Sequence, residues 1–323
     1  MKRRAFLAIL GATGWSLTVH ARQAGQGYLI GFLGGADPVG YAPQMEALRL
    51  GLEEHGYVEG KNITLEERWA EGRYDRLPGL AADLVRRNVD VIVTQGTPAA
   101  FAAKRATRTI PIVMAIVGNP EQSGLVSSLS RPGGNITGSS FFWADVAAKR
   151  LELMKEALPA LARAAILINP DNPAMRSLLR GVESRGREIN VALQTLNVRS
   201  LDEIDPALKL TKPQVEAVIV IEDGLFLANP KRVAELITSS QLPSIGFREY
   251  CEAGGLLAYG VDFPHIWRQA GALVDRILKG AKPGDLPIRQ ATRFEFLINI
   301  KMAKALNITL TPNLLARAHE VIE

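Results

Sequence analysis

The sequence has little of the chemistry that marks most enzymes and metalloproteins. It contains one cysteine, Cys251, and four histidines among 323 residues. One cysteine cannot form an internal disulfide or the cysteine pair of a two-lobed racemase, so stability must come from an apolar core. The chain also lacks a dinucleotide-binding glycine motif, a Walker loop, a nucleophile elbow and a His-Glu-x-x-His motif. We therefore expect no enzymatic activity, no metal site and no cofactor.

Excess charge of one sign is also missing. The chain has 38 Lys and Arg against 33 Asp and Glu, a formal net charge of +5. Lys2, Arg3 and Arg4 lie in a segment that we expect to be removed, which brings the mature chain closer to neutrality. No basic run is interleaved with aromatic residues, so nucleic acid is not an expected partner.

The N-terminus has the pattern of a secretory signal peptide. Three basic residues precede an apolar stretch at residues 5–19, and Val19-His20-Ala21 ends it with small residues. We predict a signal peptide over residues 1–21, since the stretch is short of the roughly 20 apolar residues that a membrane anchor needs. Arg3-Arg4 fits twin-arginine export, and the general secretory route fits nearly as well. No cysteine lies near the cleavage point, so the mature protein is expected to be free in the periplasm.

The sequence repeats one order of predicted elements. The first half runs from the strand "YLIGFLGG" through a helical pattern, the strand "NITLEERWA" and a second helix to the apolar strand "VDVIVT". The second half repeats this strand-helix-strand-helix-strand order from "RAAILINP" to "VEAVIVI". In each half a further helix, a proline and a strand follow. At 47% hydrophobic residues, the chain can bury two cores.

Alternating strands and helices predict an α/β protein of two Rossmann-like lobes with parallel sheets. The chain should cross between the lobes three times, which makes a three-segment hinge. We place lobe 1 at residues 22–140 and 260–290, and lobe 2 at residues 141–259 and 291–323.

Ligands bind such sheets outside the carboxyl ends of the strands. Polar residues and glycines follow several of the predicted strands, and each alone is more often a turn or cap residue. Their shared position at the carboxyl ends of the strands is stronger evidence for a binding site than any one residue. The predicted ligand-binding residues are Gly34, Gly35, Gln95, Gly96, Thr97, Asn119, Pro120, Ser139, Ser140, Asn169, Asp223, Tyr250 and Asp262.

Two of these positions suggest how a ligand is held. Thr97 and Pro98 open a predicted helix, with Thr97 as its N-cap, and the free N–H groups there suit a ligand carboxylate. Asp223 follows a strand and is placed to pair with a ligand ammonium, although Glu222 beside it is the alternative. Nearby aromatic residues are mostly expected in the core, and one or two could cover an apolar ligand group; these are Phe141, Phe142, Trp143 and Tyr250.

Several segments resemble the periplasmic substrate-binding proteins of ABC transporters, in the branch similar to tryptophan- or tyrosine-binding lipoproteins. The segments are "LEEHGYVEGKNITLE", "DVIVTQGTPAA", "TIPIVMAIVGNPEQSGLVSSLSRPGGNITG", "AAILINPDNP", "AGGLLAYGVDF" and "RFEFLINIKMAKALNI". The resemblance implies a type I periplasmic-binding fold and capture of a small solute, an amino acid in some relatives. Where members often carry Asp-Pro, this chain has Asn119-Pro120, which leaves Asp223 as the family-like acid. The lipidated cysteine of family lipoproteins is also missing.

Taken with this resemblance, the sequence predicts a hinge-closing receptor that delivers a small solute to an ABC permease and its ATPase, as a monomer. Two alternatives stay open. One is an extracytoplasmic sensor module of a signalling system, and the other is a lobe-closing enzyme that acts on a small acid. A transcription repressor of similar lobes is disfavoured, because the N-terminus lacks a helix-turn-helix.

Overall fold

The computed structural model describes residues 27–323, so the predicted signal peptide lies outside the described residues. The first half of the chain supplies the elements β1 (Tyr28–Gly34), α1 (Ala42–Glu53), β2 (Ile63–Trp69), α2 (Leu77–Arg86), β3 (Val91–Gln95), α3 (Gly96–Ala106), β4 (Ile112–Val117), β5 (Ile136–Ser140) and α4 (Trp143–Ala157).

The second half begins with the same alternation and ends less regularly. Its elements are β6 (Arg163–Ile168), α5 (Met175–Glu188), β7 (Ala192–Asn197), α6 (Ile204–Thr211), β8 (Ala217–Val220), α7 (Gly224–Leu227), α8 (Pro230–Ser239), β9 (Ser244–Gly246), α9 (Arg248–Glu252), β10 (Leu257–Val261), α10 (Phe263–Leu278), β11 (Arg289–Gln290), β12 (Phe294–Asn299), α11 (Ile300–Ala305), α12 (Pro312–Ala316) and β13 (Glu320–Ile322).

The strands form two open sheets, one in each lobe. The first sheet has the order β11-β5-β4-β3-β1-β2, and the second has the order β13-β12-β10-β9-β8-β6-β7. Central strands such as β3, β4 and β8 are buried along their whole length, as their β-branched apolar sequences predict. The edge strand β2 is only partly buried, which agrees with its alternating pattern. The predicted α/β fold of two Rossmann-like lobes is confirmed.

One pairing departs from the predicted parallel sheets. Strand β12 runs antiparallel to β10, whereas the other strand pairs are parallel among the described residues. The chain reaches β12 directly from β11 in the first sheet and not through a crossover helix. It therefore enters the second sheet from the opposite end.

The chain crosses between the lobes three times, as predicted. The first crossing leads from β5 through α4 to β6, the second from β10 into α10, and the third from β11 to β12. Helix α10 packs against α1 of lobe 1 so closely that a Cβ atom on Gly271 would overlap the backbone of Gly51. The predicted boundary at residue 260 falls inside β10, and the exact limits of the lobes stay predictions.

Within residues 27–323, no helix is both long enough and apolar enough to cross a bilayer.

Candidate functional site

A cavity lies between the lobes, at the carboxyl ends of β1, β3, β4 and β8. This is the position that parallel α/β sheets favour for ligands. Both lobes contribute to its wall, and α10 closes one side. The lining residues are Gly35, Tyr41, Gln44, Tyr74, Gln95, Gly96, Thr97, Pro98, Ile116, Val117, Gly118, Phe141, Trp143, Asn172, Glu222, Asp223, Gly224, Leu227, Phe263 and Trp267.

Gln95 shapes the lobe 1 wall. Its Oε1 accepts a hydrogen bond from the Gly35 N–H at 2.9 Å, and its Nε2 donates to the Tyr41 hydroxyl at 3.0 Å. The chain then turns through Gly96, whose φ of +77° favours glycine, and enters α3. The expectation that Thr97 caps this helix was wrong. The N-cap is Gln95, because the helix begins one residue before Thr97, which lies buried in the first turn.

Asp223 dominates the lobe 2 wall. Its Oδ1 accepts hydrogen bonds from the Tyr74 hydroxyl at 3.0 Å, from the Leu225 N–H at 3.1 Å and from Asn169 Nδ2 at 3.3 Å. Its Oδ2 accepts from Asn172 Nδ2 at 3.0 Å. These donors fix the carboxylate at the cavity wall, and none of them carries a charge.

Burial decides the ionisation of this carboxylate. Asp223 is only 2% exposed, and desolvation raises its pKa although its hydrogen bonds act in the opposite direction. The pKa of the neighbouring Tyr74 phenol is also raised. Burial, together with the negative charge of Asp223, raises the pKa of Tyr74 well above its ordinary value, so Tyr74 stays a neutral donor.

Glu222 is compensated within the protein. The fully buried guanidinium of Arg150 pairs with its carboxylate, and Arg150 also donates to the carbonyl oxygens of Val220 at 2.7 Å and Tyr259 at 2.6 Å. Trp143 Nε1 donates to Glu222 Oε2 at 3.1 Å. Of the two adjacent acids, Asp223 is therefore the one left without a cationic partner among the lining residues.

Aromatic rings make the rest of the wall. Phe141 lies 5.9 Å from Phe263 and 6.1 Å from Trp143 between ring centroids, and Tyr41 lies 5.8 Å from Trp267. Such a wall suits an apolar or aromatic ligand group. Of the aromatic residues considered from the sequence, Phe141 and Trp143 line the cavity, while Phe142 is 38% exposed outside it.

The two lobes touch around the cavity. The Tyr74 hydroxyl bonds Asp223, and Ser177 Oγ on α5 donates to Gln122 Oε1 in lobe 1 at 2.8 Å. A Cβ atom added to Gly40 would overlap the backbone of Ala228 in lobe 2. The lobes are therefore in a closed arrangement.

Of the residues predicted from the sequence, five line this cavity: Gly35, Gln95, Gly96, Thr97 and Asp223. Asn169 does not line the cavity, but its side chain donates a hydrogen bond to Asp223, which does. Asn119 and Pro120 lie in the loop after β4, where Asn119 Oδ1 accepts from the Gln122 N–H at 3.0 Å. Asn119 faces a smaller depression on the other side of Trp143.

The remaining predicted residues are not among those that line the cavity. Gly34 packs against the Trp69 ring, and Asp262 caps α10 by accepting from the His265 N–H at 2.9 Å. Tyr250 is completely buried in lobe 2 and hydrogen-bonds Ser244 at 2.6 Å. The last two, Ser139 and Ser140, lie buried in β5 beside β11.

Sequence reasoning missed several lining residues, among them two aromatic residues that do not follow a strand. Tyr74 lies in a short turn before α2, and Trp267 lies within α10. No local pattern distinguishes them from core aromatics. Asn172 had a visible signal, because it belongs to the quoted segment "AAILINPDNP" after β6.

Comparison with known proteins agrees with this geometry. The family model described as ABC transporter substrate binding protein matches residues 41–322. The chain belongs to this family. A tyrosine-binding protein from Clostridioides difficile is 28% identical over 258 residues, which are 80% of this chain and 74% of that protein.

Two solved structures are similar over most of the chain. The ABC domain of Streptococcus pneumoniae in complex with L-Trp has a TM-score of 0.85 at 26% identity, covering 92% of this chain and 100% of that one. A conserved domain protein from Vibrio cholerae has a TM-score of 0.86 at 26% identity, with the same coverage. The family and these relatives make this chain a substrate-binding component of an ABC system with a type I periplasmic-binding fold.

We expect Arg150→Met to lower the free energy of unfolding by about 3–5 kcal/mol, because it leaves Glu222 buried without its counterion. Adding Glu222→Gln should recover much of this loss. Chemical denaturation of the single and double variants measures both values. As a control, Arg268→Met removes an exposed pair with Glu54 and should change little. A double variant as unstable as the sum of its single changes would contradict this account.

Protonation of Asp223 should favour closure of the ligand-free protein. Burial in the closed arrangement raises its pKa, so the closed form gains stability relative to an open form as pH falls. We expect the radius of gyration from small-angle scattering to decrease between neutral pH and about pH 4, near the ordinary Asp range. Asp223→Asn should lack this response. Identical pH profiles for the two proteins would exclude Asp223 as the cause.

Proposed function

We propose that this protein captures an amino acid with an aromatic side chain and delivers it to an ABC permease driven by an ATPase. The observation that carries this proposal is the uncompensated Asp223 carboxylate in a cavity with aromatic walls. No Lys, Arg or His stands among the lining residues described above, and Arg150 already compensates Glu222. A ligand ammonium supplies the missing positive charge, and the desolvated surroundings strengthen this pairing.

The proposal also assigns binding positions to the carboxylate and to the ring of the ligand. The free N–H groups at the first turn of α3, beside Thr97, receive the ligand carboxylate, each favourable charge contact with a helix end contributing about 0.3–1 kcal/mol. The ring lies among Phe141, Trp143 and Phe263. The relatives named for tyrosine binding and crystallised with L-Trp support this ligand class.

Closure of the lobes is the proposed mechanism. Asp223 belongs to lobe 2, whereas Thr97 belongs to lobe 1, so a zwitterionic ligand held by both stabilises the closed form over the open one. The closed form is then the one that the permease recognises. We propose that the protein acts as a periplasmic monomer after removal of residues 1–21, and that it binds no nucleic acid.

Asp223→Asn should weaken binding of an aromatic amino acid by about 100-fold, because the ammonium loses its charged partner. Binding of the matching arylpropionate, which has no amino group, should change far less. Isothermal titration calorimetry with both ligands measures the difference. Asp262→Asn, which alters a carboxylate outside the cavity, is the matched control. Unchanged affinity of Asp223→Asn for the amino acid would reject the ammonium role.

Gly40→Val should weaken ligand binding at least tenfold without touching the ligand, because the added side chain would overlap Ala228 when the lobes close. Calorimetry gives the affinity, and small-angle scattering with saturating ligand shows whether the protein still becomes compact. Val39→Ala, next to it at an 81% exposed position, is the control. Full compaction of Gly40→Val with wild-type affinity would show that the contact with Ala228 is dispensable.

A further inference from the structure

Two buried polar atoms at the cavity have no protein partner. Gln44 is 5% exposed and Trp267 is 0% exposed, and both line the cavity. Gln44 Oε1 and Trp267 Nε1 form no hydrogen bond within residues 27–323. Buried polar groups in folded proteins are almost always hydrogen-bonded. At a binding cavity, unpaired atoms of this kind mark the place where a ligand supplies the partner.

The two atoms lie on neighbouring parts of packed helices. Helices α1 and α10 run side by side, and the Tyr41 ring just before α1 has its centroid 5.8 Å from that of Trp267. Gln44 follows Tyr41 by about one helical turn. Gln44 and Trp267 therefore both lie close to Tyr41, on the lobe 1 side of the cavity. Asp223 lies on the lobe 2 side of the same cavity.

The two atoms have opposite hydrogen-bonding character. The indole N–H of Trp267 can only donate, and the amide oxygen of Gln44 can only accept. A hydroxyl group both accepts and donates, so a single hydroxyl has the hydrogen-bonding character that both atoms need. An indole N–H on the ligand would satisfy Gln44 alone, and an unsubstituted phenyl ring would leave both atoms buried and unpaired.

We propose that Gln44 and Trp267 are specificity-determining residues that select an aromatic amino acid whose ring carries a hydroxyl group. The hydroxyl accepts a hydrogen bond from Trp267 Nε1 and donates one to Gln44 Oε1. This inference rests on the proposed function, because it assumes that an aromatic amino acid occupies the cavity. Sites that hydrogen-bond a ligand hydroxyl reject the analogue that lacks it, since their own polar groups then stay unpaired.

The test compares L-tyrosine, L-tryptophan and L-phenylalanine by isothermal titration calorimetry. The wild-type protein should bind L-tyrosine at least tenfold more tightly than L-phenylalanine, with L-tryptophan weaker than L-tyrosine. Gln44→Met and Trp267→Phe should each bring the tyrosine-to-phenylalanine affinity ratio close to one. They should do so by weakening L-tyrosine and not L-phenylalanine, a pattern that general damage to the cavity would not produce.

Gln269→Met is the matched control, because Gln269 lies on α10 outside the cavity and contacts His265 at 2.8 Å. This variant should keep the wild-type ratio. Equal wild-type affinity for L-tyrosine and L-phenylalanine would overturn this inference while leaving the proposed function intact. The same holds for an undiminished ratio in folded Gln44→Met and Trp267→Phe proteins. Absence of binding to all three ligands would instead contradict the proposed function.

Discussion

The buried ion pair of Arg150 and Glu222 is the interaction on which the cavity depends. Arg150 lies on α4, the helix of the first crossing between lobes. Its guanidinium also donates to the carbonyl oxygens of Val220 at the end of β8 and of Tyr259 in the middle of β10. This fixes the crossing helix to the sheet of lobe 2. Arg150 also compensates the negative charge of Glu222. Glu222 in turn accepts a hydrogen bond from the indole N–H of Trp143. The geometry of the cavity wall and the isolation of the Asp223 charge both follow from this one desolvated pair.

Asp223 shows how the candidate site lowers the stability of the protein that contains it. A carboxylate at 2% exposure, surrounded by neutral donors, is costly to ionise, as its raised pKa reflects. The unpaired atoms of Gln44 and Trp267 add to this cost on the other side of the cavity. Both features are unfavourable in a closed protein without ligand. Each is explained if a ligand with matching groups completes the site.

Much of the architecture could be predicted from the sequence, because it depends on local patterns. Apolar β-branched runs such as β3 and β4 identify buried strands, and alternation with helical patterns requires parallel sheets in two lobes. The rule that ligands bind at the carboxyl ends of strands then located Gln95 and Asp223. The antiparallel direction of β12 depends on the path of the third crossing, which no local pattern encodes. Tyr74 and Trp267 reach the cavity only through tertiary packing, and Tyr250 is held away from it by a hydrogen bond inside lobe 2.

The contact between the Tyr74 hydroxyl and Asp223 has a consequence for the protein without a ligand. It joins the lobes through the Asp223 carboxylate, whose charged form is disfavoured by burial. Closure without a bound ligand is therefore unfavourable while Asp223 is ionised. Under the proposed role in import, a permease that responds only to the closed form would then seldom trigger ATP hydrolysis in the absence of solute. In that role, the Asp223 carboxylate would limit the hydrolysis of ATP that moves no solute.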